Sequence, residues 1–559
     1  MTFIATSSSL KHVAMLTSTL RSNSVCYARP ITRIRMHSTV LPIIRKQLDN
    51  NTEEDISEEE LFRYSRHRWL TFDEDDKLAS RYRKFNVAAL VEAAATAVGD
   101  GTKSCVKILK CIEGSCNKAL LLTMDDGTEV LAKLPNPNAG PSFYTTASQV
   151  ATHQFLREIL DLPVPRIYAY SADSSNAVGA EYIIEDKAAG QPLSDVWYSW
   201  SEESQTRLVS QLVDIETKLA SLSFRSHGCL YYKKDLVQRG IPVRHFYAPL
   251  LHPTSLKCDH ISLQEYTIGP SVTAALWEDE RATMESLDRG PWWNPLAYMK
   301  SIVTNEKLWA ENHAVPRSNS YGPTNGIQSP QGYISLLERY LQLMPYMAPA
   351  PTPMTLFHPD LHMDNIFVDP ETKKIACIID WQTTLIAEPY FQPNYPKMLT
   401  PIEPSPRDDK SDEENAMDHY QALTEQRSPQ RWAQMNDSNH YLLTKVISSI
   451  PGSWTRDNGF GLCHNLIAAT VNWEEVAPPG MPCPIHFTEE ELESHNCDLQ
   501  VAADLAGILE QLEQGSIIPN DGKVLADDYE RALEASRKVK EWFVFRVESE
   551  KERDTNSKV

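Results

Sequence analysis

The feature that most constrains the fold lies between Cys105 and Asp186, where short apolar runs are separated by turn chemistry and one helical stretch. CVKILKCIEG, starting at Cys105, is rich in β-branched residues; KALLLTM follows the loop from Glu113 to Asn117; EVLAKL follows Asp125-Asp126-Gly127-Thr128. Asp-Gly between two apolar runs signals a tight hairpin, because glycine takes the positive φ that such turns require. The order is strand, loop, strand, tight turn, strand. In TTASQVATHQFLREIL the period becomes helical, with Ala151, Phe155, Leu156 and Ile159 on one face. PVPRIYAYS and GAEYIIED predict two further strands, hence a five-stranded sheet with one helix inserted after the third strand.

A chain of 559 residues exceeds what one hydrophobic core organises, so two or more lobes are expected. After residue 187 the pattern is mainly helical, with Tyr333, Leu336, Leu337, Tyr340 and Leu341 spaced for one buried face. The reading is an α+β chain with a sheet-bearing lobe over 105–187, a mainly helical lobe over 188–545 and a tail over 546–559. An N-terminal extension spans 38–104. Within it, the acidic stretch from Glu53 to about Glu92 reads as helix-prone, with Trp69, Leu70 and Phe72 able to pack it onto the body. SPRDDKSDEENAMD, from Ser405 to Asp418, reads as a surface loop, and helix returns from about Glu489 to Glu550.

Charge is distributed unevenly. None of the 75 acidic residues falls within residues 1–48, where proportion predicts about six. That segment carries Lys11, Arg21, Arg29, Arg33, Arg35, Arg45 and Lys46 among many Ser and Thr. Basic, hydroxyl-rich and acid-free composition describes a mitochondrial transit peptide, here residues 1–37, with Arg35-Met36-His37-Ser38 resembling a matrix-protease site. The expected location is the mitochondrion, in the matrix. Beyond residue 48 the balance is 47 basic against 75 acidic residues, a surface that repels nucleic acid and anionic lipid. No stretch approaches the roughly 18 consecutive apolar residues of a membrane span, and the apolar segment from Leu341 to Phe357 is broken by four prolines. No transmembrane segment is expected. The ten cysteines include no C-x-x-C pair, so a structural zinc site is not expected and reduced thiols are.

The chemistry concentrates in LFHPDLHMDNIFVDPETKKIACIIDW, from Leu356 to Trp381. His358, Asp360 and Asn365 form H-x-D-x-x-x-x-N between the apolar runs TLF and IFV. The turn from Asp369 to Lys373 leads into KIACIID, so Asp380 ends a strand beside the same loop. Phosphoryl transfer uses such a set. Charge on the transferred group is neutralised by Mg2+, a hard cation that prefers oxygen ligands such as Asn365 and Asp380. Asp360 is left to orient, or accept the proton of, an attacking hydroxyl. His358 is expected to brace the loop.

This segment resembles the catalytic loop and metal-binding segment of the aminoglycoside phosphotransferase family, small-molecule relatives of eukaryotic protein kinases. The resemblance implies a bilobal protein-kinase-like fold, ATP and Mg2+ as cofactors, and a hydroxyl acceptor on a small molecule. Carried over residue by residue, it makes Asp360 the catalytic base, Asn365 and Asp380 the metal ligands, and Lys133 the strand-three lysine that grips nucleotide phosphates. EGSCNK, from Glu113 to Lys118, matches the loop over the phosphates, making Gly114, Ser115 and Asn117 cofactor-binding candidates. Ile183 to Asp186 falls where adenine would be contacted, which adds Ile184 and Glu185. HGCLYYKKDL, YTIGPS, DRGPWW and IIDWQTTLIAEPYFQ are similar to a fungal subgroup named for altered inheritance of mitochondria protein 9. Packing and turn chemistry are the expected roles of DRGPWW and YTIGPS.

One position departs from the family pattern. The helix after strand three begins Ser-Glu-Val-Ala in the family, and its Glu pairs with the strand-three lysine; here the residues are Ser148-Gln149-Val150-Ala151. Gln149 offers Lys133 no charge, which weakens a contact that kinase-like sites depend on. Two functions follow: an ATP- and Mg2+-dependent phosphotransferase, or a pseudokinase that binds nucleotide or a protein partner in mitochondrial maintenance. The acceptor and any protein partner are not specified by these motifs.

Overall fold

Five of the apolar runs do pair as strands. In the computed structural model, residues 42–71, 73–99, 103–243, 263–318, 327–399, 412–437, 440–456, 459–515 and 521–541 are described. The transit-peptide segment 1–37, Phe72 and the tail 546–559 lie outside them. The strands are β1 (Ile43–Gln47), β2 (Glu53–Asp55), β3 (His67–Trp69), β4 (Cys105–Lys110), β5 (Asn117–Met124), β6 (Glu129–Pro135), β7 (Ile167–Ser171) and β8 (Tyr182–Asp186). All except β3 form one mixed but mainly antiparallel sheet in the order β2-β1-β4-β5-β6-β8-β7, with only β1 parallel to its neighbour β4. The β5–β6 turn is as read: Gly127 has φ 84° and donates to the Met124 carbonyl at 3.0 Å.

The sheet is therefore wider than the expected five strands. β1 and β2 come from the N-terminal extension 38–104, and β2 from its stretch read as helix-prone. Glu-Glu-Asp in β2 is exposed throughout and carries no two-residue apolar alternation. Its strand conformation comes from pairing with β1, a tertiary effect that propensity does not record. β3 pairs instead with Lys523–Leu525, which ties the C-terminal region to the N-terminal one.

Side chains alternate across the sheet. Val130, Ala132, Leu134 and Ile184 face one side and pack with Leu90 and Ala94 of the helix Val87–Gly99. Lys133 lies opposite Ile183, and Leu131 opposite Glu185, so Lys133 and Glu185 share the other face. That face is covered by the helix Tyr144–Gln154, which continues into a π-helical turn, Phe155–Ile159. Ala151, Phe155, Leu156 and Ile159 are all buried in one cluster, as their spacing predicts.

Beyond β8 helices predominate. Glu202–Ala220 begins with Glu202 and Glu203, which favour the positive end of the helix dipole, and buries Leu208, Val209, Leu212 and Val213. Its apolar face packs on the strands Thr355–Phe357, Ile366–Val368 and Ile375–Ile378. A second core joins Pro295–His313 and Pro330–Met347 to Gly459–Val471. The loop expected from Ser405 to Asp418 is helical in its described part: Asp412–Arg427 is a helix, and Ala416 and Tyr420 are buried against Glu202–Ala220. Burial of these two residues outweighs an acidic composition that reads as solvated. Among the described residues, no helix is long and apolar enough to cross a membrane.

The subgroup motifs build scaffold. Cys229–Tyr232 and Tyr266–Gly269 pair as an antiparallel ribbon. In DRGPWW the Asp288 carboxylate accepts bonds from the Gly290 N–H and the Trp292 indole. His227 exchanges backbone bonds with Trp292, and its Nδ1 lies 3.1 Å from Glu388, both side chains being buried.

Candidate active site

Asp360 and Asn365 lie on the connection between Thr355–Phe357 and Ile366–Val368. Ile366–Val368 and Ile375–Ile378 form a hairpin whose turn is closed by Asp369, which accepts from the Glu371 and Thr372 N–H groups. Ile366 is opposite Ile378, and the Ile379 N–H donates to the Asn365 carbonyl at 3.0 Å. This register sets Ile379 opposite Asn365 and Asp380 one residue beyond that pair. Asp380 itself has φ 61°, sparsely populated for a residue with a side chain.

His358 holds the loop as expected. Its Nε2–H donates to the Ile379 carbonyl at 2.9 Å, and its Nδ1 accepts from the Asp360 N–H at 3.1 Å. Those two bonds assign the neutral tautomer, and burial pushes its pKa down in the same direction. The His358 ring also meets Trp381, with centroids 4.5 Å apart. Asn365 uses its Nδ2 on the Asp360 carbonyl at 2.9 Å and on His362 Nε2 at 3.1 Å.

The donor set suits a hard cation. One carboxylate oxygen of Asp380, Oδ1, is buried without a hydrogen-bond partner. Such an oxygen is costly unless a cation or proton meets it. Among the described residues, no three His, Cys, Asp or Glu side chains group as a metal site. Two protein oxygens completed by phosphate and water is the usual arrangement for Mg2+ held with a nucleotide.

The sheet supplies the facing side. Lys133, 8% exposed, stands 3.9 Å from the Glu185 carboxylate, which is 2% exposed. The resemblance puts Ile184 and Glu185 near adenine; the Glu185 side chain stands with Lys133, and its neighbour Ile184 is packed in the opposite core. His153, also buried, brings Nδ1 to 3.6 Å from the other Glu185 oxygen. Burial, with help from Lys133 and His358, lowers the His153 pKa to about 3, so the ring is neutral. Burial also raises the Glu185 pKa, against the opposing pull of Lys133. Gln149 makes no bond here: its buried amide nitrogen has no partner. The carboxylate beside Lys133 thus comes from β8, not from the helix. The pairing was missed because nothing in single-sequence spacing brings residues 52 apart onto neighbouring positions of one face.

The loop from Glu113 to Asn117 is anchored rather than free. Glu113 accepts from the Ser65 N–H at 2.7 Å and pairs with buried Lys110 at 2.9 Å, with Lys118 at 3.7 Å. Burial pulls the Lys118 pKa down to about 8. A Cβ placed on Gly114 would meet nothing within 4 Å. The Ser115 carbonyl accepts from Asn138, and Asn117 donates to Gln382 at 2.7 Å. Gln382 in turn donates to the Ala139 carbonyl, so this one buried amide joins the loop to the segment bearing Asp380. Its position after Asp380-Trp381 was a signal available in the sequence.

A further basic residue stands at the site. Lys397 Nζ lies 2.7 Å from Asp360 Oδ1, and His362 Nε2 lies 3.8 Å from Asp360 Oδ2.

Residues 305–391 match the model of the phosphotransferase enzyme family. A subtelomeric hrmA-associated cluster protein of Aspergillus fumigatus is 30% identical over 502 residues, covering 78% of this chain and 92% of that protein. Altered inheritance of mitochondria protein 9, mitochondrial, from Lodderomyces elongisporus is 25% identical, covering 54% of this chain and 50% of its own. A solved structure, a putative aminoglycoside phosphotransferase from Ralstonia eutropha, aligns with 75% of this chain and 96% of its own at 12% identity and a TM-score of 0.36.

Proposed function

The chain belongs to the phosphotransferase enzyme family, and from that premise we propose that it is an ATP- and Mg2+-dependent phosphotransferase acting on a hydroxyl of a small molecule in mitochondria. Its fold on this reading is bilobal and protein-kinase-like, with lobes at 105–187 and 188–545. The observation that carries the reading is the unpartnered, buried Asp380 oxygen beside Asn365, on the hairpin that also positions Asp360.

Each residue has a defined part. Asn365 and Asp380 hold Mg2+, which supplies neutralising charge to the phosphates when bound. Asp360 orients the acceptor hydroxyl and takes its proton. Lys133 grips the nucleotide phosphates while Glu185 keeps it in place, the task that Gln149 cannot perform. Gly114, Ser115 and Asn117 cover the phosphates from a loop whose root is clamped by Glu113. The mitochondrial location is supported by the basic, acid-free segment 1–37 and by relatives named as mitochondrial proteins.

A pseudokinase is the second reading. It is favoured by the unpartnered Gln149 amide and by the 3.9 Å separation of Lys133 from Glu185, longer than a direct hydrogen bond. Thermal unfolding with and without ATP and Mg2+ separates the two from a protein that holds no nucleotide. A magnesium-dependent rise in Tm, absent in Asp380→Ala, supports the metal and nucleotide site, and phosphate transfer in a subsequent metabolite screen supports the enzyme over the pseudokinase. No shift at millimolar ATP would sink the phosphotransferase reading.

A further inference from the structure

We propose that Lys397 is the cation that meets the transferred phosphoryl group on the acceptor side of the site. This rests on the phosphotransferase reading and adds to it a residue outside the motif set. In the transfer, the acceptor oxygen bonds to the γ-phosphorus as the bond to the ADP oxygen breaks, and the acceptor proton goes to Asp360. The charge spread over the oxygens of the moving group therefore passes close to Asp360, a carboxylate that is negative until it takes that proton. A site of this kind needs positive charge there as well as at the nucleotide end.

Lys397 is placed to provide it. An attacking oxygen held about 2.8 Å from Asp360 and about 3.3 Å from phosphorus keeps the phosphorus within about 6 Å of that carboxylate. Lys397 Nζ, 2.7 Å from Asp360 Oδ1, stands well within that distance of the same carboxylate. Its backbone is fixed: it opens the turn Lys397–Leu399, Met398 and Leu399 are buried, and the Met398 N–H donates to the Leu361 carbonyl at 3.0 Å, one residue beyond Asp360. Its side chain is 64% exposed, so the ammonium can leave Asp360 for a phosphoryl oxygen without breaking any packing.

The other lysine of the site cannot take this part. Lys133 is enclosed on the sheet face with Glu185 and His153. Among the described residues, the other charged or titratable groups around Asp360 include His362, which also pairs with Asp364 at 3.3 Å, and Asp364 and Asp380, both carboxylates. The alternative for Lys397 is an ordinary exposed ion pair, which contributes little to anything.

Calorimetric titration of the full chain with Mg·ATP and Mg·ADP decides between them, using the wild type, Lys397→Met and Lys397→Arg. ADP lacks the γ-phosphoryl, so only ATP affinity should respond. Lys397→Met is expected to weaken ATP binding about tenfold, the worth of one charge-assisted hydrogen bond, with ADP binding unchanged. Lys397→Arg should restore most of the loss. An unchanged ATP:ADP ratio in Lys397→Met, or equal weakening of both nucleotides, would overturn the proposal while leaving the nucleotide site intact. A wild type that binds neither nucleotide would overturn the phosphotransferase reading itself, and this inference with it.

Discussion

Lys133 and Lys397 each face a carboxylate, yet the two pairs differ in nearly every physical respect. Lys133 and Glu185 are buried and 3.9 Å apart; Lys397 and Asp360 are 64% and 42% exposed and 2.7 Å apart. In water, a short contact between mobile charges contributes little to stability because solvent screens it and side-chain entropy opposes it. In the dry interior, a longer contact matters more, because each charge has lost its hydration and has no substitute for its partner. The shorter distance therefore marks the weaker structural bond and the more available functional group. On the proposed reading, the buried pair belongs to the framework of the nucleotide end, and the exposed pair to the end where groups must change partners.

The comparison breaks most clearly at Glu185. Replacing it in Glu185→Ala leaves Lys133 enclosed without its counter-charge, and urea unfolding should show a loss of about 3 kcal/mol. The double change Lys133→Met with Glu185→Met removes both charges and should recover much of that loss. If Glu185→Ala is neutral, the sheet end is wetter than its burial indicates, and the contrast between the pairs disappears.

Acid should act on the buried end next. His153 has a folded-state pKa of about 3 against an ordinary value of 6.5, so its unfolded form binds the proton first. The stability linked to it is fully present above pH 6.5 and is lost as pH falls from 6.5 toward 3, with a slope approaching about 1.4 kcal/mol per pH unit. Urea unfolding at a series of pH values should show a shallower acid loss in His153→Asn than in the wild type. Equal slopes would mean that His153 is hydrated.

The smallest effect is expected at the exposed end. Lys397→Met should change unfolding free energy by no more than about 0.5 kcal/mol. A loss comparable with that of Glu185→Ala would show that Lys397 is part of the framework, and the division between the two pairs would fail.

Much of the site was legible along the chain. Asp360, Asn365 and Asp380 sit within 21 residues, on a hairpin whose strands and turn are local, and local pairing lets spacing predict proximity. The five strands from Cys105 to Asp186 and the Asp-Gly turn were readable for the same reason. β1 and β2 were not, because short strands without a clear two-residue alternation take their conformation from the neighbour they join. Glu113 shows the same limit: its partner Ser65 is 48 residues away.

By itself the sequence determined the residues of the candidate chemistry, the alternation that makes the central sheet, and the absence of a helix carboxylate at position 149. Only the tertiary structure decided what replaces that carboxylate and where the second cation stands. Glu185 reaches Lys133 because antiparallel pairing sets Ile183 against Lys133 and turns Glu185 to the same face. Lys397 reaches Asp360 because the Met398–Leu361 backbone bond folds a distant turn onto the loop. Contacts of that range are set by chain topology and burial, which local periodicity cannot encode.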